Sequence, residues 1–322
     1  MKERFIDKNF RPESMHWVTA IVDVCNAYAA RGFKLSLRQV YYQLVAHHGL
    51  PNREQSYKNI GSLLSDARLA GLVDWDLIED RNRETIRNPH WESESEFMRS
   101  VARQFRIDLW GGQPFHVEVM VEKAALEGVL EPVCRELDVP FTSNRGYSSS
   151  SAMYECGKRI EDALSDEQKI VMVYLGDHDP SGIDMTRDVY ERLGLFGGVL
   201  EWDAGELYLA EDRLDEHDGN ETFGCERFRI RRIALTMGQI EEYAPPPNPA
   251  KITDSRATGY IRRFGSESWE LDALDPDVLA SLVRNEVAAY RDDDLFNARA
   301  AEMGAGREKF LAISAKLDAG EL

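Results

Sequence analysis

The sequence predicts an α/β protein: a helical module over residues 1–110, a parallel sheet flanked by helices over 111–245, and a mostly helical C-terminal extension over 246–322. Two changes of pattern predict it. Up to residue 110 apolar residues recur three and four apart and charge nearly balances, 16 Lys and Arg against 15 Asp and Glu. From Gln113 onward β-rich runs alternate with helical ones, and residues 111–322 hold 23 basic side chains against 42 acidic, which gives the chain its net −18. A third observation narrows the class. No apolar stretch approaches the ~18 residues of a membrane span, and MKERFIDKNFRPE holds no apolar leader core. Cys25, Cys134, Cys156 and Cys225 lie far apart with no CxxC pair, so they read as buried thiols of a cytoplasmic protein rather than a zinc or disulfide framework.

Met15, Val18, Val22 and Cys25 mark a first helix closed near Gly32. Ser36-Leu37-Arg38-Gln39 has the capping-box form, and Leu37, Val40, Tyr41, Leu44 and Val45 give the second helix one apolar face before Gly49. A third helix begins at Ser56, carries Ile60, Leu63, Leu64 and Ala67, and closes at Gly71. Residues 72–87 are β-compatible and hold Arg81, Arg83 and Arg87. Three short helices followed by a basic strand pair read as a winged helix, a double-stranded DNA-binding module. Its third helix would present Tyr57, Lys58 and Arg68 to the major groove, with the arginines of the wing on the backbone.

Residues 115–121 then read as a strand, 124–137 as a helix, 139–142 as a short strand, 151–164 as a helix, 169–175 as an apolar strand and 228–235 as one more. The stretch from Trp202 to Glu221 carries eight carboxylates against Arg213 alone and reads as a solvated insert. Pro245-Pro246-Pro247-Asn248-Pro249 reads as a linker, and residues 276–291 and 297–317 as helices.

Chemistry concentrates just after two strands. In Gly176-Asp177-His178-Asp179-Pro180-Ser181-Gly182, Asp177 and Asp179 stand two apart at a strand end, so both carboxylates point into the crevice beyond the sheet. Glu122 ends the other clear strand and faces the same crevice. Three such acids outline a Mg²⁺ site, for which Mn²⁺ can substitute. The alternative is an Asp-rich turn capping a helix that begins near Ser181. Glu118 shares the parity of Glu122 but sits mid-strand and reads as a paired residue. Arg145-Gly146-Tyr147 and four serines lead into a helix whose first amides suit a phosphate, although a capped connection fits equally. In the second helix Tyr42 lies about 100° from the apolar face of Tyr41 and one turn above Arg38. An exposed tyrosine beside a guanidinium that lowers its pKa is a candidate nucleophile; the alternative is an ordinary helix-surface tyrosine.

Leu37-Arg38-Gln39-Val40-Tyr41-Tyr42 resembles the tyrosine motif of the type IIB topoisomerase A subunit (topoisomerase VI) and of the related meiotic double-strand-break protein. Val121-Glu122-Lys123 and Gly176 to Ile183 are similar to that family's Toprim signatures, and Trp269 to Leu274 to its late EL-x-AL stretch. The resemblance spans roughly residues 35 to 290 and implies a winged-helix domain, then a Toprim domain, then C-terminal helices. It implies Tyr42 as nucleophile with Arg38 assisting, and Glu122, Asp177 and Asp179 holding Mg²⁺. Arg145 and Gly146 join Tyr57, Lys58, Arg68, Arg81 and Arg83 as candidate DNA contacts. The implied reaction is transesterification to a 5′-phosphotyrosyl link by a homodimer, with a separate ATPase subunit as a possible partner, since no P-loop is present. Gln39 stands where the family usually carries an acid. The competing expectations are a hydrolytic Toprim nuclease with no covalent intermediate, a non-catalytic winged-helix DNA-binding protein, and a haloacid-dehalogenase-like phosphatase, whose strand-DxD pattern usually continues with Thr or Val rather than Pro180.

Overall fold

The computed structural model describes residues 2–78, 88–144, 150–203, 206–209, 221–250 and 254–321. Its first helices are α1 (Pro12–Ala29), α2 (Leu37–His48) and α3 (Glu54–Leu69). The capping box forms as the sequence requires: Gln39 N–H donates to Ser36 Oγ at 3.3 Å, and Ser36 N–H donates to Gln39 Oε1 at 2.8 Å. Gly49, at φ 70°, supplies the left-handed residue that ends α2. Ile21 and Cys25 of α1, Val40 and Leu44 of α2, and Ile60 and Leu64 of α3 share one core. After α3 the chain makes a 3-10 turn over Trp75–Leu77 and a single bridge between Leu35 and Ile78. Residues 79–87 lie outside the described residues, and with them Arg81, Arg83, Arg87 and the wing. Helix α4 (Glu94–Gln104) follows.

The sheet domain runs β1 (Phe115–Val121), a 3-10 turn into α5 (Glu127–Leu137), β2 (Phe141–Ser143), α6 (Ser150–Ser165), β3 (Lys169–Leu175) and α7 (Pro180–Phe196). An antiparallel pair, β4 (Leu200–Asp203) and β5 (Glu206–Leu209), comes next, then β6 (Glu221–Gly224), β7 (Phe228–Ala234) and α8 (Met237–Tyr243). The five-stranded sheet is ordered β2-β1-β3-β7-β6, parallel except for β6. Alternation along β1 and β3 divides the core between two faces. Val117, Val119, Val121, Val171, Val173 and Leu175 pack with Val129 and Val133 of α5 in a core continuous with that of the first three helices. Met120, Ile170, Met172 and Tyr174 pack with Ile160 of α6 and Leu193 of α7 on the other. Both faces are therefore covered, as nearly continuous apolar strands demand.

The remainder comprises β8 (Asn248–Pro249), α9 (Ala257–Phe264), β9 (Glu267–Ser268), a 3-10 turn over Leu271–Ala273, α10 (Pro276–Ala288) and α11 (Asp293–Ala319). Pro249 pairs with Glu267 across β8 and β9, so the proline run enters a strand rather than a free linker. All four cysteines are buried thiols. Among the described residues no helix is long and apolar enough to cross a membrane.

Glu118 is the buried charge that anchors α6 to the sheet. Arg159 grips it with Nε at 2.8 Å and Nη2 at 2.7 Å, and His116 meets it at 3.0 Å. Burial alone would raise its pKa, but the hydrogen bonds from His116 and Arg159 win and hold it at about 2. A value depressed from an ordinary 4.5 adds stability that is present above pH ~4.5 and lost as pH falls toward 2. We expect the chain to lose about 3 kcal/mol over that window, at ~1.4 kcal/mol per unit. Urea titrations at pH 5 and pH 2.5 should show this loss for the native chain and little of it for Glu118→Gln, which should be destabilised at both. An equal acid loss in Glu118→Gln would place its source elsewhere.

Candidate active site at the carboxyl edge of the sheet

Strands β1 and β3 end in register, Val121 beside Leu175, and each chain then turns into the crevice. Glu122 N–H donates to Leu175 O at 2.9 Å, and its side chain returns across the gap so that Asp177 N–H donates to Glu122 Oε2 at 2.9 Å. Two glycines permit this. A Cβ on Gly176 would stand 2.8 Å from Glu122 Oε2, and one on Gly182 would stand 2.3 Å from Asp177 O. Asp179 is the N-cap of α7: its Oδ1 accepts from Gly182 N–H at 2.6 Å and from Ser181 Oγ at 2.8 Å, the capping role that the spacing also allowed.

Asp177 is held from both sides. Leu271 N–H donates to its Oδ1 at 2.7 Å, and Lys123 Nζ lies 2.8 Å from its Oδ2. Burial, which Lys123 only partly offsets, together with repulsion from Glu122 pushes Asp177 up to about 8. Burial raises Glu122 as well, and the charge of Asp179 adds to it. Lys123 stays firmly protonated despite its burial because Asp272, Asp177 and Glu270 surround it. Beneath the loop lies Arg232 of β7, fully buried. Its Nη1 donates to Gly182 O at 3.0 Å and Thr186 Oγ1 at 2.7 Å, and its Nη2 to Gly176 O at 3.2 Å and Asp177 O at 2.6 Å. One guanidinium thus fastens both ends of the segment that carries the two aspartates.

Tyr42 departs from its expected position. It is 5% exposed, as buried as Tyr41 at 4%, because the 3-10 turn Leu271–Ala273 lies against this side of α2. Arg38 is turned toward that turn, with Nη2 2.8 Å from Glu270 Oε2 and Nε 2.9 Å from Asp272 Oδ2. Its guanidinium carbon lies 5.9 Å from the Tyr42 ring centroid. Burial, Asp272 and Glu270 raise the phenol's pKa, and Arg38 pulls it down without prevailing. The expected lowered phenol is therefore corrected: the same arginine is already compensated by two carboxylates. Tyr41 is a core residue whose hydroxyl accepts from Arg53 N–H at 2.9 Å. Arg38, Glu270, Asp272, Lys123 and Asp177 form one chain of ion pairs from α2 to the sheet edge.

Comparison with known protein families, with characterised proteins and with solved structures returned no match. The site therefore stands on its own geometry.

The candidate DNA contacts on α3 fare unevenly. Tyr57 is half-buried, its ring edge-on to Tyr41 at 5.3 Å, and belongs with the core. Lys58 is exposed and paired with Glu54 at 2.7 Å. Arg68 turns inward, donating to Trp75 O at 2.7 Å and Ile78 O at 3.3 Å and stacking on the Trp75 ring, so it secures the turn after α3 instead of facing a groove. Arg145 and Gly146 lie outside the described residues.

Among the described residues no three His, Cys, Asp or Glu side chains form a ready cage for an ion. Lys123 occupies Asp177, and α7 occupies one oxygen of Asp179. The donor set nevertheless fits Mg²⁺. It is all oxygen, it crowds buried carboxylates whose mutual repulsion a cation relieves, and among the described residues Glu122 Oε1 and Asp179 Oδ2 meet no protein donor. Glu122, Asp177 and Asp179 are the residues that could hold it. Arg232 carries no local sequence signal that assigns it to the site; Lys123 appears only as the residue after Glu122 in the Toprim-like run, and Glu270 and Asp272 only within the EL-x-AL likeness.

Proposed function

We propose that this chain is a Mg²⁺-dependent DNA-cleaving enzyme of the topoisomerase VI A-subunit kind, its sheet a Toprim domain and its first helices a winged helix. The observation that carries the reading is the meeting of Glu122 with Asp177, beside Asp179, at adjacent strand ends. Glu122, Asp177 and Asp179 would hold Mg²⁺, or Mn²⁺, which when bound supplies Lewis-acid stabilisation of charge on the phosphoryl group and the leaving oxygen. Tyr42 Oη attacks phosphorus, a Tyr–O–P bond forms, the P–O3′ bond breaks, and the phenolic proton leaves as the 3′ oxygen gains one. Arg38, shared with Glu270 and Asp272 but still pulling the phenol's pKa down, is the cation this reading assigns to the phenolate. Two copies cut two strands, and an ATPase subunit is a further partner of this reading.

A second reading keeps the acids and drops the tyrosine: hydrolysis by an activated water. The burial and raised pKa of Tyr42 favour it. Both readings are tested by incubating the chain with supercoiled plasmid and Mg²⁺ or Mn²⁺, quenching with SDS, and comparing lanes with and without protease. Linear DNA released only by protease, and absent with Tyr42→Phe, supports transesterification. Loss of the Tyr42 hydroxyl should lower the rate by at least about 10³-fold, roughly 4 kcal/mol of barrier. Cutting that survives Tyr42→Phe makes the chain a hydrolytic nuclease, and retardation without cutting makes it a binding protein.

A further inference from the structure

Carboxylates repel phosphodiesters, so DNA brought to Glu122, Asp177 and Asp179 needs uncompensated cations close by. Most cations of the neighbourhood are already engaged. Lys123 serves Asp177, Glu270 and Asp272; Arg38 serves Glu270 and Asp272; Arg232 is buried on backbone carbonyls. Arg256 pairs with Asp254 and Asp184, and Arg187 with Asp184 and Glu191.

Helix α9 offers what these lack. It rides on the acid loop: Tyr260 Oη donates to His178 O at 2.8 Å and lies 2.8 Å from His178 Nδ1, and Phe264 packs on the same imidazole at 4.7 Å. His178 is the residue between the two aspartates. Tyr260 packs on the loop and Ala257 is buried one turn earlier, while Ser255, Thr258, Gly259, Arg262 and Arg263 of this segment are exposed to solvent. Their spacing of three and four residues puts them on one stripe. No Asp or Glu occurs from Ser255 to Ser266, in a half of the chain where acids outnumber bases almost two to one. Among the described residues neither Arg262 nor Arg263 has an ion-pair partner, and a Cβ at Gly259 would meet nothing within 4 Å, so the stripe is open.

We propose that this stripe of α9 is the surface that holds a DNA backbone alongside the acids. Arg262 and Arg263 each meet a phosphate, Ser255 and Thr258 supply hydroxyl donors, and Gly259 lets the strand lie close. The proposal rests on the reading of the site as one that acts on DNA and adds where that DNA is held.

The test is fluorescence anisotropy of a labelled 30-base-pair duplex in EDTA, where nothing is cut, across a salt series. Wild type, Arg262→Ala, Arg263→Ala, the double alanine variant and the double lysine variant are compared, with the exposed Arg135 of α5, as Arg135→Ala, for control. Each alanine should weaken binding by roughly tenfold at low salt, irrespective of duplex sequence, and reduce the slope of log K against log salt by about 0.9. The double lysine variant should recover most of the affinity and the full slope, and Arg135→Ala should bind as wild type does. A double alanine variant with wild-type affinity and slope overturns the proposal, as does a wild type that binds no duplex at any salt. Failure of the plasmid assay alongside the expected anisotropy sinks the enzyme reading and leaves the surface standing; cutting with unchanged anisotropy does the reverse.

Discussion

Asp177→Asn is expected to make the metal-free chain more stable at pH 9 while removing its metal-dependent activity. Burial, only partly offset by Lys123, and the nearby Glu122 raise the folded-state pKa of Asp177 from 3.8 to about 8. A raised value contributes stability fully present below pH ~4 and lost as pH rises through 8, because the folded chain must then carry a buried, crowded carboxylate. Each unit of the shift is worth ~1.4 kcal/mol, so the native chain should weaken by a few kcal/mol between pH 5 and pH 9 in EDTA. Asparagine keeps an oxygen for Leu271 N–H, leaves Lys123 with Glu270 and Asp272, and has no charge to bury. Thermal melts at the two pH values are the check: the variant should gain on the native chain as pH rises, and a variant equally impaired at both would refute this account of Asp177. Mn²⁺ should raise the melting temperature of the native chain more at pH 9 than at pH 6, and that of Asp177→Asn hardly at all. Cleavage by the variant should fall by about 10³-fold or more.

The same residues mark where sequence reading succeeds and where it stops. Parity at strand ends is a local property, so Glu122, Asp177 and Asp179 were legible once both strands were recognised as parallel neighbours. Glu118 was legible as a paired residue for the same reason: a lone acid inside an apolar strand must find a partner. Asp179 satisfied two readings at once, since a carboxylate that caps α7 through Oδ1 still has a second oxygen.

Tyr42 shows the limit. Periodicity along α2 tells which side faces α1 and α3, and on that evidence Tyr42 turns outward. What covers it is a 3-10 turn more than 200 residues later in the chain, which no pattern within α2 can announce. Arg68 shows the same limit: off the apolar stripe it reads as a phosphate contact, whereas its guanidinium reaches two carbonyls of the next turn. A long side chain snorkels to whatever acceptor is near, and spacing alone does not say which. Helix α9 is equally hard to read from sequence, because eight residues interrupted by Gly259 give little periodic signal.

Arg232 is the most consequential residue the sequence conceals, and its replacement should have the largest structural effect. Residues 228–235 read as one more strand, and nothing in that run of three arginines tells which of them is buried or what it holds. Pairing with β3 stays in step through Tyr174 and Arg232, so Arg231 and Arg232 point to opposite faces of the sheet, and because both faces are covered both arginines are buried. Arg232→Met retains much of the volume but strips donors from Gly176 O, Asp177 O, Gly182 O and Thr186 Oγ1. Gly176 O keeps Leu235 N–H at 2.8 Å and Gly182 O keeps the Thr186 hydroxyl at 3.4 Å, so Asp177 O loses most; a buried acceptor left without a donor costs about 1 to 3 kcal/mol, and with the weakened bonds beside it a loss of about 2 to 4 kcal/mol in urea unfolding is expected. Arg232→Lys should recover less than half of it, since one ammonium cannot span Gly176 and Asp177 on one side and Gly182 and Thr186 on the other. The cation also lowers the pKa of Glu122, so its loss drives that carboxyl further toward the neutral form. Mn²⁺ binding by whatever fraction remains folded should therefore weaken beyond what lost stability explains, measured by calorimetry well below the melting temperature. A methionine variant within about 1 kcal/mol of the native chain would mean that the loop carrying Asp177 and Asp179 is held by α7 and the Leu271 contact alone.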